Sequence, residues 1–219
     1  MRPGEDVRIS DGSGRVFLCC ISAYEEKTAV LDILKELDAD TELPSKITLF
    51  QGLPKGDKMD WIVQKAVELG AYSVVPFAAG RSIVKLDEKK AKKRQERWQL
   101  IAKGAAEQSG RGLIPEVQQV KTFPEALKMA SGLDVVLIPY ELAEGMDKTA
   151  RIIEEIRPGQ SVGVFIGPEG GFEEEEIRRA RESGAEPVTL GKRILRTETA
   201  GLSVLSILMY HLESRSHIL

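Results

Sequence analysis

"FIGPEGGFEEEEIRRA", residues 165–180, decides the fold, because it joins an apolar strand to a charged helix through a glycine-rich loop. Gly167, Gly170 and Gly171 leave the backbone bare at the point where the strand ends. A bare backbone lets a ligand come close. The same glycines would also suit a tight turn that packs the helix back onto its sheet. The surrounding sequence must therefore decide whether this loop binds a ligand or is only a tight turn.

Other apolar runs, rich in β-branched residues, predict further strands on either side of this stretch. They are "KITLFQGL" (46–53), "YSVVPF" (72–77), "DVVLIPY" (134–140), "SVGVFIG" (161–167) and "PVTLG" (187–191). Helical patterns lie between them, as at Met59, Ile62, Val63, Ala66 and Val67, which share one helix face. Asp57 is the expected N-cap of that helix and Gly70 its stop signal. Alternating strands and helices predict an α/β domain, residues 45–219, with a mostly parallel sheet covered on both faces.

Three loops follow predicted strands and carry glycine or proline: residues 137–140 ("LIPY"), 165–172 and 190–201 ("LGKRILRTETAG"). In an open parallel sheet, ligands bind at the carboxyl ends of the strands. All three loops fall on that edge of the predicted sheet. This coincidence favours a binding site over isolated turns.

The first 44 residues differ in pattern from the rest of the chain. "EDVRIS", "DGSG" and "RVFLCCIS" predict a β-hairpin, and residues 27–37 ("KTAVLDILKEL") suit either a third strand or a helix. Residues 1–44 therefore form a small separate module, too short to be stable alone.

Several chemistries are disfavoured by the motifs. Glu173–Glu176 place four acids at the start of a predicted helix, where they suit the helix dipole but repel a phosphate. "GLPKGDK" lacks P-loop spacing, GPEGG is not GxGxxG, and the hydrolase elbow GxSxG is missing. The chain has only His211 and His217, and its adjacent Cys19 and Cys20 do not suit a disulfide framework or zinc. We expect no metal.

Composition bounds the location and the partners. The net charge is −3, so a nucleic-acid partner would need a local basic surface. Residues 81–111 provide one, with ten basic residues against four acidic ones. This stretch is either an RNA-binding face or the solvated side of a helix. No apolar run approaches the roughly 18 residues of a membrane span, and we expect a cytoplasmic protein that does not bind membranes.

In several short motifs the chain resembles the ribosomal RNA small subunit methyltransferase E family of the SPOUT superfamily. The resemblance rests on "KGDKMDWIVQKAVELG", "RSIVK", "AAEQSGR", "GPEGGF" and "LGKRILRTETA", which follow one another in this order along the chain. It covers about residues 46–213. The family implies a SPOUT fold that ends in a deep trefoil knot, S-adenosylmethionine as methyl donor, and methylation of uridine N3 in 16S ribosomal RNA of the small subunit.

The family pattern also implies the site residues. The donor has no phosphate, so a pocket of backbone groups and aliphatic side chains suits it. That pocket would be formed by Pro139, Ile166, Gly167, Gly170, Gly171, Leu190, Gly191, Ile194, Leu195 and Thr199. Arg196 would polarise the uracil carbonyls, and Glu198 or Glu169 would accept the N3 proton. From the residues alone, a salt bridge for Arg196 and a helix cap for Glu198 are equally open.

For RNA binding, the resemblance implies a small N-terminal β-barrel related to PUA domains. Family members usually carry residues before the position of Met1, so we expect an incomplete barrel here. The candidate RNA contacts are Arg8, Arg81, Lys89, Lys92, Lys93 and Arg111. Residues 199–212 ("TAGLSVLSILMYHL") have apolar residues around most of the helix, which together with the resemblance predicts a homodimer. The alternatives are a SPOUT methyltransferase acting on transfer RNA or a ribose 2′-hydroxyl, and a non-catalytic RNA-binding relative.

Overall fold

A computed structural model describes residues 1–38, 40–82, 87–143 and 145–215. The chain divides into two compact units. The first contains Met1–Glu42 together with Ala106–Ile114. The second contains Leu43–Ala105 and the chain from Pro115 onward. The first unit thus includes a segment, Ala106–Ile114, which the sequence analysis assigned to the methyltransferase domain.

The N-terminal unit is built on an antiparallel sheet of β1 (Asp6–Ser10), β2 (Val16–Glu25) and β3 (Thr28–Leu37), in that order. The predicted hairpin is confirmed, and the ambiguous segment after it is a strand. Asp11 fixes the turn between β1 and β2 by accepting hydrogen bonds from the amide and hydroxyl of Ser13. These bonds, with a further contribution from Arg15, hold the pKa of Asp11 well below its ordinary value.

Arg111 belongs to the interior of this unit. The residue is only 6% exposed. Its guanidinium donates to both carboxylate oxygens of Glu42, which also accepts a hydrogen bond from the Leu113 amide at 3.2 Å. A buried charge needs such a partner to offset its desolvation. The prediction that Arg111 contacts RNA is therefore corrected, because its charge is buried and neutralised within the protein.

The second unit contains a parallel seven-stranded sheet within the described residues, with the path β10-β8-β9-β4-β5-β6 and β7 also paired with β5. Its strands are β4 (Lys46–Gly52), β5 (Ser73–Ala78), β6 (Glu116–Val117), β7 (Lys121–Thr122), β8 (Val135–Pro139), β9 (Ser161–Ile166) and β10 (Glu186–Val188). The helices are α1 (Lys58–Glu68), α2 (Glu88–Ser109), α3 (Phe123–Ala130), α4 (Met146–Glu155), α5 (Glu174–Glu182) and α6 (Thr197–Arg215). The predicted α/β class with a parallel sheet is confirmed.

Helices cover both faces of this sheet. On one face, Phe50 stacks on Phe165 at 4.3 Å between ring centroids, and this aromatic core continues into buried residues of α3 and α5. On the other face, α6 packs against α1 and β9. The apolar stripe of α1 is buried as predicted. Burial on both faces explains why the strands are nearly continuous apolar runs.

The ends of α1 follow the sequence signals in part. Asp57 occupies the N-cap position, but its side chain makes no capping hydrogen bond. Gly70 follows the C-cap residue Leu69 with φ of 84°, a left-handed conformation that glycine adopts without strain. No helix in the described part of the chain combines the length and apolar character needed to cross a membrane.

Candidate active site

Three neighbouring strands bring the predicted loops together. β10, β8 and β9 lie side by side and parallel, so their carboxyl ends share one edge of the sheet. The loops that follow them line a cavity of about 510 Å³. A cavity of this size lies within the range of small-molecule sites, roughly 300–1,000 Å³. The geometry favours a binding site over isolated turns.

The cavity gathers most of the residues predicted to bind the donor. Those that line it are Pro139, Ile166, Gly167, Gly170, Gly171, Leu190, Gly191, Ile194 and Leu195. Thr199 does not line it. Of the predicted catalytic residues, Arg196 and Glu169 border the cavity, whereas Glu198 lies outside its lining. Ile194 is 86% exposed, so the cavity mouth offers an apolar side chain to solvent.

The glycine loop after β9 sits tightly against the end of β4. A Cβ atom on Gly52 would come within 2.7 Å of the backbone nitrogen of Pro168. Real Cβ atoms do not approach backbone this closely, so only glycine fits at this position. Gly52 therefore allows the loop to close over β4. Gly52 was not predicted as a site residue.

A buried hydrogen-bond chain holds the first peptide of the loop. The Thr197 hydroxyl donates to the Gly167 carbonyl at 2.6 Å and accepts from Nε2 of Gln51 at 2.9 Å. Gln51 is fully buried in β4, and its Nε2 also donates to the Gly52 carbonyl. Strand β4, loop 167–171 and the start of α6 are thereby tied together directly beneath the cavity.

The far side of the loop is bounded by Arg81. Its Nη1 donates to the Gly170 carbonyl at 3.2 Å. A Cβ atom on Gly170 would lie 3.0 Å from the Arg81 Cβ and 3.2 Å from its carbonyl oxygen. The absence of a side chain at Gly170 thus lets two loops approach. Arg81 was predicted to bind RNA, and in the structure its contact is with the glycine loop.

Lys58 links two carboxylates at the cavity wall. Its Nζ lies 3.0 Å from Glu169 Oε1 and 3.2 Å from Glu198 Oε2. Glu169 also accepts a hydrogen bond from the Lys55 amide at 3.1 Å. Lys58 was not predicted as a site residue, because 111 residues separate it from Glu169.

These contacts shift the pKa of both partners. Hydrogen bonds to Glu169 and then to Glu198 raise the pKa of Lys58. Partial burial raises the pKa of Glu169, but hydrogen bonds from its own amide, Lys58 and Lys55 outweigh it, and the net pKa is lowered. At neutral pH Lys58 is therefore a cation and Glu169 an anion. A carboxylate with a lowered pKa is a weak base.

The acids at the start of α5 are occupied within the protein. Glu176 is only 8% exposed, and it accepts hydrogen bonds from the amides of Glu173 and Gly80 at 2.9 and 2.8 Å. Glu173 and Glu176 together form a capping box. The negative side chains thus fill the position where a phosphate would bind at a helix N-terminus, as the sequence indicated.

Three cations of residues 189–196 also line the cavity. Lys192, Arg193 and Arg196 line it, are exposed, and make no ion pair within the part of the chain that the structure describes. The carbonyl of Arg196 accepts hydrogen bonds from the amides of Thr199 and Ala200, which fixes its backbone at the start of α6. Lys192 and Arg193 were not predicted, although they lie inside the quoted "LGKRILRTETA". Among the described residues, no cluster of His, Cys, Asp and Glu could hold a metal ion.

The remaining RNA-binding candidates lie on the surface. Arg8 is 45% exposed in its side chain and pairs with Asp40 at 3.6 Å within the N-terminal unit. Lys89, Lys92 and Lys93 are exposed on α2. Lys85, which contributes to the basic stretch and to "RSIVK", lies outside the described residues.

Sequence comparison places these features in a family. A sequence model of the RNA methyltransferase domain matches residues 41–209, most of the chain. The "Ribosomal RNA small subunit methyltransferase E" of Bacillus subtilis is 39% identical over 94% of this chain and 85% of that protein. The chain belongs to the ribosomal RNA small subunit methyltransferase E family. The resemblance inferred from the motifs is thereby confirmed.

Other members of the small subunit methyltransferase E family support this assignment. The Synechocystis protein of that name is 31% identical over 98% of this chain and 69% of its own length. A crystal structure of the Neisseria gonorrhoeae family member, bound to S-adenosyl methionine, is 37% identical with a TM-score of 0.84. It covers 96% of this chain and 84% of that one. The α/β architecture is therefore shared with a structure that contains the methyl donor.

Proposed function

We propose that this protein transfers the methyl group of S-adenosylmethionine to N3 of a uridine in 16S ribosomal RNA of the small ribosomal subunit. The observation that carries the proposal is the cavity at the carboxyl ends of β8, β9 and β10, lined by the family's glycine and proline loops. Family membership supplies the reaction class. A fold alone would not do so, because one fold hosts many functions.

The cavity residues fit the chemistry of the donor. S-adenosylmethionine has no phosphate, and the acids Glu173 and Glu176 at the start of α5 would disfavour one. Backbone groups of Gly167, Gly170 and Gly191 and the aliphatic side chains beside them suit an adenine and an aliphatic chain that carries a sulfonium. When bound, the donor supplies an electrophilic methyl group on a cationic sulfur. No metal is needed for this transfer.

The charged residues around the cavity would have different roles in the reaction. Arg196, which lines the cavity, would polarise the uracil carbonyls and stabilise the anion left when N3 loses its proton. Glu169 is held as an anion by Lys58 and Lys55, which suits electrostatic stabilisation of a cationic donor better than proton acceptance. Glu198 is the other carboxylate that we propose as proton acceptor; it pairs with the same Lys58 from outside the cavity lining.

Identification of the methylated nucleoside tests this function. We expect small ribosomal subunits incubated with the protein and donor to yield N3-methyluridine after digestion. Arg196→Ala should lower kcat by about 10²-fold, the typical loss when a stabilising donor is removed. Donor affinity in calorimetry should stay within about threefold of wild type, since Arg196 acts on the uridine. A 2′-O-methylated nucleoside, or methylation of transfer RNA only, would contradict the proposed substrate.

We also propose the family's finer architecture. The C-terminal segment, including residues 189–196 and α6, would form the deep trefoil knot, consistent with the hydrogen bonds from Thr197 to loop 167–171 and to β4. The β1–β3 unit would act as the PUA-like RNA-binding module. The active unit would be a cytoplasmic homodimer that does not bind membranes, formed through exposed apolar residues of α6, where Ile207 is 43% and Tyr210 74% exposed.

A further inference from the structure

A second cavity, of about 300 Å³, lies between the start of α1 and one face of α2. Four cations of α2 line it: Lys90, Lys93, Arg94 and Arg97. With Trp98 they occur at the spacing of a single helix face. Trp98 is only 2% exposed and anchors this face. The remaining lining comes from Gly56, Asp57 and Asp60 at the start of α1. We call this cavity the α2 cleft.

The cations of the α2 cleft are not all neutralised. Arg97 pairs with Asp60 at 2.5 Å. Lys90 pairs with Asp87, but the two side chains are 72% and 57% exposed, so that pair is weak. Lys93 and Arg94 make no ion pair with any described residue. The cleft therefore holds an excess of positive charge in a concave site, although the whole chain is negative.

The α2 cleft and the donor cavity share a wall. Gly56 and Asp57 line the α2 cleft, and the next residue, Lys58, lines the donor cavity. The same segment reaches Glu169 through the Lys55 amide. A polymer that enters the donor cavity and continues along this wall would pass the α2 cleft.

We propose that the α2 cleft binds a backbone phosphate of the substrate RNA, with Lys93 and Arg94 as its principal contacts. The inference rests on the proposed function and adds to it a second point of attachment for the RNA. Arginine offers a planar fork that matches phosphate oxygens, while lysine offers a point charge. A concave site with both residues next to the catalytic cavity binds one phosphate in a fixed position, unlike a flat basic surface.

The neighbouring lysines of α2 provide a matched control. Lys89 and Lys92 are exposed on the same helix but do not line the cleft. The double variant K93Q/R94Q and the double variant K89Q/K92Q remove the same charge from the same helix. General electrostatic attraction predicts equal losses for the two variants, whereas a phosphate site in the cleft predicts unequal ones.

The experiment measures binding of 16S ribosomal RNA transcript to both full-length variants across a salt series. We expect K93Q/R94Q to weaken binding at least tenfold and to reduce the salt slope by about two. K89Q/K92Q should weaken it less than threefold, because exposed lysines outside the cleft meet RNA phosphates only through solvent-screened charge. Calorimetry with S-adenosylmethionine should give wild-type affinity for both, and thermal melting should show that both are folded. K93Q/R94K should bind more tightly than K93Q/R94Q, because it keeps a positive charge at position 94.

Two results would contradict the proposed phosphate site in the α2 cleft. Equal losses in the two variants would assign the effect to diffuse charge, and unchanged affinity in K93Q/R94Q would remove the site altogether. The proposed function is tested separately, because wild-type protein either produces N3-methyluridine or does not. If the wild-type protein methylates and K93Q/R94Q binds RNA normally, only the proposed phosphate site is refuted and the proposed function stands.

Discussion

At the scale of single residues, the site depends on side chains that do not touch the ligand cavity directly or that lie far apart in sequence. Gln51 and Thr197 are 146 residues apart, yet they meet through a hydrogen bond and hold the Gly167 carbonyl. Hydrophobic periodicity finds strands and helices, but it contains no information on which polar side chains pair across a fold. Glu42 and Arg111 illustrate the same limit. Arg111 lies in a basic stretch and was predicted to contact RNA, but it is buried and paired with Glu42.

Thr197→Val should weaken donor binding by loosening the glycine loop. The change removes a hydroxyl that donates to Gly167 and accepts from Gln51, so a buried carbonyl loses its partner. Such a loss costs about 1–3 kcal/mol of unfolding free energy. We expect a lower melting temperature and donor affinity reduced about tenfold in calorimetry. Thr199→Val, two residues away and outside the cavity lining, is the control and should change neither quantity appreciably.

Glu169→Gln should lower donor affinity by the same factor at every pH from 8 down to about 5. The pKa of Glu169 is lowered from the ordinary glutamate value of about 4.3, so the carboxylate stays ionised to a lower pH than usual. Its electrostatic contribution to donor binding is therefore present at neutral pH and is lost as the pH falls through the pKa in the folded protein. We expect wild-type donor affinity to be flat from pH 8 down to about 5, and E169Q to bind about tenfold more weakly throughout. An inflection of wild-type kcat near neutral pH that disappears in E169Q would instead make Glu169 the base.

At the scale of elements, the strands and the edge on which the loops lie were predictable, because each depends on local sequence. The continuous apolar runs from "KITLFQGL" to "PVTLG" all correspond to parallel strands, and the adjacency of β8, β9 and β10 makes the three predicted loops one site. Contacts between loops were not predictable. The contacts of Gly52 with Pro168 and of Gly170 with Arg81 depend on how closely two backbone segments approach in space. Glycine permits such an approach, but a glycine in the sequence does not show which segment it will contact.

Gly170→Val should impair the donor site while the sheet stays folded. The new side chain would meet the Cβ and carbonyl oxygen of Arg81 at 3.0 and 3.2 Å, so the glycine loop must shift. We expect a loss of donor affinity of more than tenfold in calorimetry, with a far-ultraviolet circular dichroism spectrum like that of wild type. The control is Gly132→Val, where an added Cβ has no neighbour within 4 Å and both readings should be unchanged. Unaltered affinity in G170V would remove the loop from the site.

At the scale of the whole molecule, α6 has more apolar surface than the second unit buries. Val204, Leu205 and Leu208 are buried, whereas Ile207 and Tyr210 on the same helix are exposed. An isolated exposed apolar residue is ordinary, but several on one helix suit an interface. The sequence predicted this excess from the distribution of apolar residues around the helix, and the exposures agree with it.

Ile207→Asp should shift the protein from dimer to monomer. A charge at an apolar contact is costly to bury in the dimer and harmless in water, so the folded subunit should persist. Sedimentation at micromolar concentration should show the dimer for wild type and the monomer for I207D, with methylation strongly reduced in the monomer. Met129→Asp on α3, where the native residue is similarly exposed at 41%, is the control and should sediment as wild type does. Full activity in a monomeric I207D protein would refute the need for a dimer.

The make-up of the N-terminal unit has a consequence for how the protein is synthesised. Ser10 and Gly12 bond to Gly112 and Ile114, and Glu42 requires Arg111, so the unit lacks part of its own framework until residue 114 has left the ribosome. Domains built from one continuous stretch can fold in order as they emerge. Here the first hairpin to be translated must wait through the synthesis of β4, α1, β5 and all of α2. During that interval Val16, Cys19 and Ile21, which are at most 3% exposed in the finished protein, lack the packing of the completed unit, so chaperone capture of the nascent chain would matter most at this stage of translation.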